Sequence, residues 1–129
     1  MTDALAHARA VQLAAASTGF DWPDVSGALD KLREEVDEFS RAVRDGTPAR
    51  QREELGDIFF SAVNVSRFIG VDPAAALCET SRKFESRFER VCARIEQSGR
   101  TVGQCSLPDL DAVWEAVKGE ENGEGVSAP

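Results

Sequence analysis

Apolar residues recur along the chain at intervals of three and four, and no useful length of strict alternation interrupts them, so the pattern predicts helices and no sheet. Residues 3–17 read as an Ala-rich helix with Leu5, Ala8, Val11, Gln12 and Ala15 at helical intervals, stopping before Gly19. In residues 25–45, Leu29, Leu32, Val36, Phe39 and Val43 form one stripe, with Glu35 and Glu38 at its rim. Thr47-Pro48 opens a third helix running to Gly70, apolar on most of its circumference through Leu55, Ile58, Phe59, Phe60, Val63, Phe68 and Ile69, as a central, largely buried helix would be. Asp72-Pro73 starts a fourth, over 73–98, which turns Leu77, Phe84, Phe88, Val91 and Ile95 to the core. Ser106 with Asp109 resembles a cap for a short last helix carrying Leu110, Val113, Trp114 and Val117 and ending near Lys118. The fold class is therefore all-α, a helical bundle of four to five helices over residues 1–118. Residues 119–129, rich in Gly, Glu and Ser with almost no apolar content, are expected to be a disordered acidic tail.

Composition narrows the function. A length of 129 residues suits one domain with one core. The formal net charge of -8 argues against a DNA or RNA backbone as partner, since such binding rests on a basic surface. Cys78, Cys92 and Cys105 are odd in number and lack close CxxC spacing, which fits small apolar fillers in a reduced, cytoplasmic compartment. Asp3, His7 and Arg9 break the N-terminal apolar residues, and no later stretch approaches the length of a membrane span, so a soluble, unprocessed protein is expected.

The candidate chemistry lies in four carboxylates. Glu35 and Glu38 on the second helix, and Glu54 and Asp57 on the third, form pairs three residues apart, so each pair projects from one side of its helix. The turn holding Gly46 and Pro48 folds the two helices together and brings four negative groups toward one point. Oxygen-only ligands with no convergent His or Cys select a hard cation, Mg²⁺, Mn²⁺ or Ca²⁺, over zinc or copper; of these Mg²⁺ is the expectation, with Mn²⁺ a possible substitute. The competing reading of the first pair, a solvated acidic face, is weakened by the apolar surroundings of the second.

Two further groups have dual readings. On the fourth helix Lys83, Arg87, Arg90 and Arg94 form a basic row, which either pairs within the helix, as Glu79 with Lys83, or holds an anion. Phe20 and Trp22, in the loop after the first helix, either close a core or stack on a ligand.

Taken in order, Glu34-Glu35-Val36-Asp37-Glu38, Glu54-Leu55-Gly56-Asp57 and Lys83-Phe84-Glu85-Ser86-Arg87-Phe88 match EExxE, ExxD and KFxxRF, and residues 20–118 resemble the catalytic domain of MazG nucleoside triphosphate pyrophosphohydrolases. The resemblance is to a single MazG domain, most like the C-terminal, catalytically competent copy of two-domain members. It implies that Glu35, Glu38, Glu54 and Asp57 bind Mg²⁺, that Lys83 and Arg87 hold the polyphosphate, and that Trp114 and Lys118 close the nucleotide site. Trp114 as a core residue and Lys118 as a helix C-terminal charge are the competing readings. Asn64 and Arg67 resemble the family's VNxAR segment, in which an amide bonds a nucleobase edge; an Asn satisfied by backbone is the alternative.

The expectation is a Mg²⁺-dependent hydrolase cutting nucleoside triphosphates to monophosphate and pyrophosphate, with Glu38, in preference to Glu35, accepting a proton from water. A narrow-specificity dUTPase-like or house-cleaning pyrophosphatase is the second reading, and a non-catalytic helical interaction module the third. The apolar surface left by so few helices, together with the resemblance, points to a homodimer.

Overall fold

The computed structural model describes the backbone of residues 3–127 and the side chains of residues 3–122. Among the described residues there is no strand. Five α-helices, α1 (Ala4–Ala16), α2 (Val25–Asp45), α3 (Pro48–Phe68), α4 (Pro73–Gln97) and α5 (Leu107–Ser127), follow in order, with a short 3-10 turn at Val102–Gln104. The all-α expectation holds. No helix among the described residues is long and apolar enough to cross a membrane.

The helix starts follow from side chains that satisfy the free N–H groups of each first turn. Asp3 accepts from Leu5 N at 3.0 Å, Asp24 from Ser26 N at 2.8 Å, Thr47 Oγ1 from Arg50 N at 3.2 Å and Asp72 from Ala74 N at 3.1 Å. Ser106 and Asp109 cap reciprocally, each backbone N–H donating to the other's side chain at 3.2 Å. At the end of α4, Gly99 takes φ +82°, and Arg100 N reaches back to Ile95 O at 3.2 Å, a glycine-terminated stop that residues with a Cβ make poorly.

The chain forms two compact units, Met1–Leu77 and Cys78–Pro129. In the first, α2 and α3 pack antiparallel. Gln51 Nε2 donates to Ala42 O at 3.0 Å near the turn, Glu54 meets Glu35 and Glu38 further in, and Asp57 and Ser61 share a cavity with Glu35 and Ala28. The buried line of α2 is Ala28, Glu35 and Ala42. The expected stripe is therefore off by one residue, about 100° of helix. Glu35 sits at its centre, 5% exposed, while Val43 on the supposed core face is 55% exposed. Small Ala28 and Ala42 let α3 approach closely, and that approach sets the face.

The third helix is likewise less enclosed than its composition suggests, burying Ser61, Val63 and Ser66 while Phe59 is 58% exposed. In the second unit Val91, Ile95 and Val117 form the core, with Val102, Cys105, Leu110, Val113 and Trp114 packed on it. Leu77, Phe84 and Phe88, expected in the core, are exposed.

The last helix also departs from expectation. It does not end near Lys118, and the stretch expected to be disordered continues it to Ser127. Within that stretch Glu121 accepts from Arg87 (Nη2, 2.8 Å) and Arg90 (Nη1, 3.1 Å), and Glu120 pairs with Arg94 at 2.7 Å. These charge-assisted bonds offset the low helix propensity of the glycines. Ala128 and Pro129 lie outside the described residues.

Candidate metal and nucleotide site

The site is built where α2 and α3 cross. One turn of each helix presents Glu35, Glu38 and Glu54, and each offers a carboxylate oxygen so placed that all three atoms lie within 4.8 Å of one another. Glu35 Oε1 receives Lys31 Nζ at 3.0 Å, one turn earlier on α2. Its other oxygen, and Oε2 of Glu54, are buried with no hydrogen-bond partner among the described residues. Burial, then the charges of Glu38, Asp57 and Glu35, push the Glu54 carboxyl above its ordinary value. The Lys31 ammonium is held above its own by Glu35.

Asp57, the fourth expected ligand, is not within the converging trio. It stands on the wall of the adjoining cavity with Glu35, and desolvation followed by the charges of Glu35 and Glu53 raises its carboxyl, with Lys31 opposing. Lys31, and Arg50 with its Nε 4.0 Å from Glu54 Oε1, offset only part of the charge of three converging carboxylates, and the two orphaned oxygens stay unfavourable. The donor set is all oxygen and anionic, so the cluster can hold a hard divalent cation.

Beside the cluster opens a cavity of about 650 Å³, walled by Val11, Gln12 and Ala15 of α1, residues 19–22 of the loop, Ala28, Lys31 and Glu35 of α2, and Asp57, Phe60, Ser61, Asn64 and Arg67 of α3. That volume suits a small ligand. Phe20 does not close a core: it is 82% exposed at this wall. Trp22 lies against Gly27, where an added Cβ would come within 2.6 Å of the indole, so the first turn of α2 fits the ring only as glycine.

Arg67 organises the far end. Its Nη1 and Nη2 donate to the two Asp21 carboxylate oxygens at 3.0 and 2.6 Å, while Nε and Nη2 donate to Asn64 Oδ1 at 3.1 and 2.8 Å. The guanidinium beside Asp21 holds its carboxyl below the usual range. Asn64 is thus satisfied by Arg67, not by backbone. Sequence reading missed Lys31 and Asp21 as site residues; Lys31 was recoverable from its i, i+4 spacing to Glu35, whereas the pairing of Asp21 with Arg67 spans 46 residues and leaves no local trace.

Lys83, Arg87, Trp114 and Lys118 belong to the second unit. Lys83 and Lys118 are exposed. The basic row pairs across helices rather than within α4: Arg87, Arg90 and Arg94 engage Glu120 and Glu121 of α5. Trp114 packs on Phe84, with ring centroids 5.1 Å apart, and takes the Arg87 guanidinium 5.1 Å above its ring.

Helical packing with a carboxylate cluster beside a cavity is what comparison with known proteins meets. The model of the MazG nucleotide pyrophosphohydrolase domain matches residues 24–92. The nucleoside triphosphate pyrophosphohydrolase/pyrophosphatase MazG of Thermotoga maritima is 41% identical over 119 residues, 92% of this chain and 46% of that protein. The nucleoside triphosphate pyrophosphohydrolase of Escherichia coli K12 is 34% identical over 120 residues, with the same shares. A phosphoribosyl-ATP pyrophosphatase of Methanoregula boonei is 38% identical over 63 residues, 46% of this chain and 61% of that one. The chain belongs to the MazG nucleotide pyrophosphohydrolase domain family. It spans about half the length of the curated relatives it matches first.

Proposed function

We propose that this chain hydrolyses nucleoside triphosphates to monophosphate and pyrophosphate with Mg²⁺ bound by Glu35, Glu38 and Glu54, and with Asp57 joining from the adjoining cavity wall. The observation that carries the reading is the trio of carboxylates with two buried, unpartnered oxygens, Glu35 Oε2 and Glu54 Oε2, beside a cavity of ligand size. The pyrophosphohydrolase activity for which the Thermotoga and Escherichia relatives are named supports the same reaction class. When bound, the ion supplies charge neutralisation for phosphate oxygens and acidifies a water.

The residues divide the remaining work. Glu35, buried and tied to Lys31, is a fixed ligand, whereas the half-buried Glu38 has freedom to take a proton from water. The nucleoside occupies the cavity, with Phe20 and Trp22 supplying planar faces. The roles that the resemblance gives Lys83, Arg87, Trp114 and Lys118 are proposals for the second unit; Arg87 has a fork suited to phosphate oxygens once Glu121 yields it. Exposed Val36, Val43, Leu55 and Phe59 of α2 and α3 support a homodimer, and three unpaired thiols support a cytoplasmic setting.

A panel of ribo- and deoxynucleoside triphosphates incubated with Mg²⁺, with products separated, tests the proposal. Monophosphate plus pyrophosphate is expected, and Glu54→Gln should lower turnover by at least about a hundredfold. Diphosphate plus phosphate, full turnover in excess EDTA, or no turnover with any nucleotide would each overturn it.

A further inference from the structure

We infer that Gln12 is a specificity-determining residue: its Oε1 accepts a hydrogen bond from an N–H of the nucleobase in the cavity bounded by α1, α2 and α3. The inference rests on the nucleotide reading above. Gln12 is 7% exposed and lines that cavity. Its Nε2 donates to Phe60 O at 2.8 Å, which fixes the amide, because the flipped amide would set oxygen against the carbonyl oxygen. The remaining atom, Oε1, is buried and has no partner among the described residues.

An acceptor left unpaired in this way is costly, and the resulting site favours a ligand that brings a donor. A sugar hydroxyl is also a donor, but Gln12 shares its cavity with the flat faces of Phe20 and Trp22, which suit a base rather than a sugar. Asn64 complements it. With Oδ1 taken up by Arg67 at 3.1 and 2.8 Å, its amide N–H groups are the part left for a ligand, so it offers a donor where Gln12 offers an acceptor. A base edge carrying an N–H beside a carbonyl or ring nitrogen satisfies both. A base stripped of that N–H leaves Gln12 Oε1 buried and unpaired, and a site of this kind rejects such an analogue far more strongly than a purely apolar pocket would.

The test uses pairs of triphosphates that differ by one N–H donor group: ATP against its analogue lacking the 6-amino group, GTP against ITP, and UTP against its N3-methyl form. Calorimetric Kd with Mg²⁺, and kcat/KM, are measured for each with the full chain. In the wild type at least one pair should differ by about tenfold or more. Gln12→Met, close in size but without the amide acceptor, and Gln12→Leu should bring that ratio toward one, with thermal melts showing that the variants fold. Equal values within every pair in the wild type, or a ratio retained in a folded variant, would overturn the inference. The wild-type pairs decide even if neither variant folds. Absence of any cleavage would sink the hydrolase reading alone, since the affinity pairs still test Gln12; cleavage at equal rates and equal affinity within every pair would leave the hydrolase standing and remove Gln12 from its specificity.

Discussion

Single side chains carry the sharpest consequences. Glu54 shares its surroundings with Glu35 and Glu38, and its carboxyl is raised by burial and by their charge. A raised acid favours the folded state below its ordinary value of 4.5 and loses that advantage as pH rises through the folded value. Without metal, Glu54→Gln should therefore melt a few degrees above the wild type at pH 7, and the gap should close below pH 4.5, followed by circular dichroism in EDTA. Added Mg²⁺ should raise the melting temperature of the wild type and not of the variant. Asp21 has the opposite sign. Arg67 depresses its carboxyl, so its contribution is present above 3.8 and lost as pH falls through the lower folded value. Asp21→Asn should melt below the wild type at pH 7 and match it in strong acid; a gap independent of pH would mean that the pair with Arg67 is not its source. The nearness of Glu35, Glu38 and Glu54 was legible in the sequence, because helical spacing sets which side chains share a face and the turn at Gly46 and Pro48 folds the two helices together. The contacts of Gln12 and Asp21 were not, since both are made with partners 48 and 46 residues away.

At the scale of elements, helix existence and starts were legible because caps are local. Thr47-Pro48 and Asp72-Pro73 open helices in the structure as their chemistry requires. Which face a helix buries is not local. On α2 the alanines at 28 and 42 permit close approach, so the buried line passes through Glu35 instead of Val36. The length of α5 was hidden for a related reason: glycines at 119 and 123 weaken a helix in isolation, and the arginines that hold Glu120 and Glu121 are some 30 residues distant. Glu121→Gln removes a carboxylate that takes three hydrogen bonds from Arg87 and Arg90. Hydrogen exchange across residues 113–121 should quicken several-fold in this variant while residues 25–45 keep their protection. Unchanged exchange would show that the apolar contacts of Leu110, Val113, Trp114 and Val117 suffice to hold the helix.

At the scale of the molecule, α2 and α3 leave several apolar residues open to solvent. Phe59 and Leu55 lie one turn apart on α3, and Val36 and Val43 two turns apart on α2. A second copy of the chain would cover them. Phe59→Glu should then shift sedimentation from a dimer to a particle of the single-chain mass, 14.0 kDa, and a wild type that already sediments at that mass would end the dimer proposal. The contact between Gly27 and the Trp22 indole reaches beyond this one molecule. Because a Cβ at position 27 would meet the ring at 2.6 Å, a lineage that acquires alanine there must shrink or reorient the aromatic five residues earlier, and a lineage that loses the aromatic is released to take the better helix former. The two positions should therefore covary among relatives, and that covariation would mark which of them keep the same cavity wall.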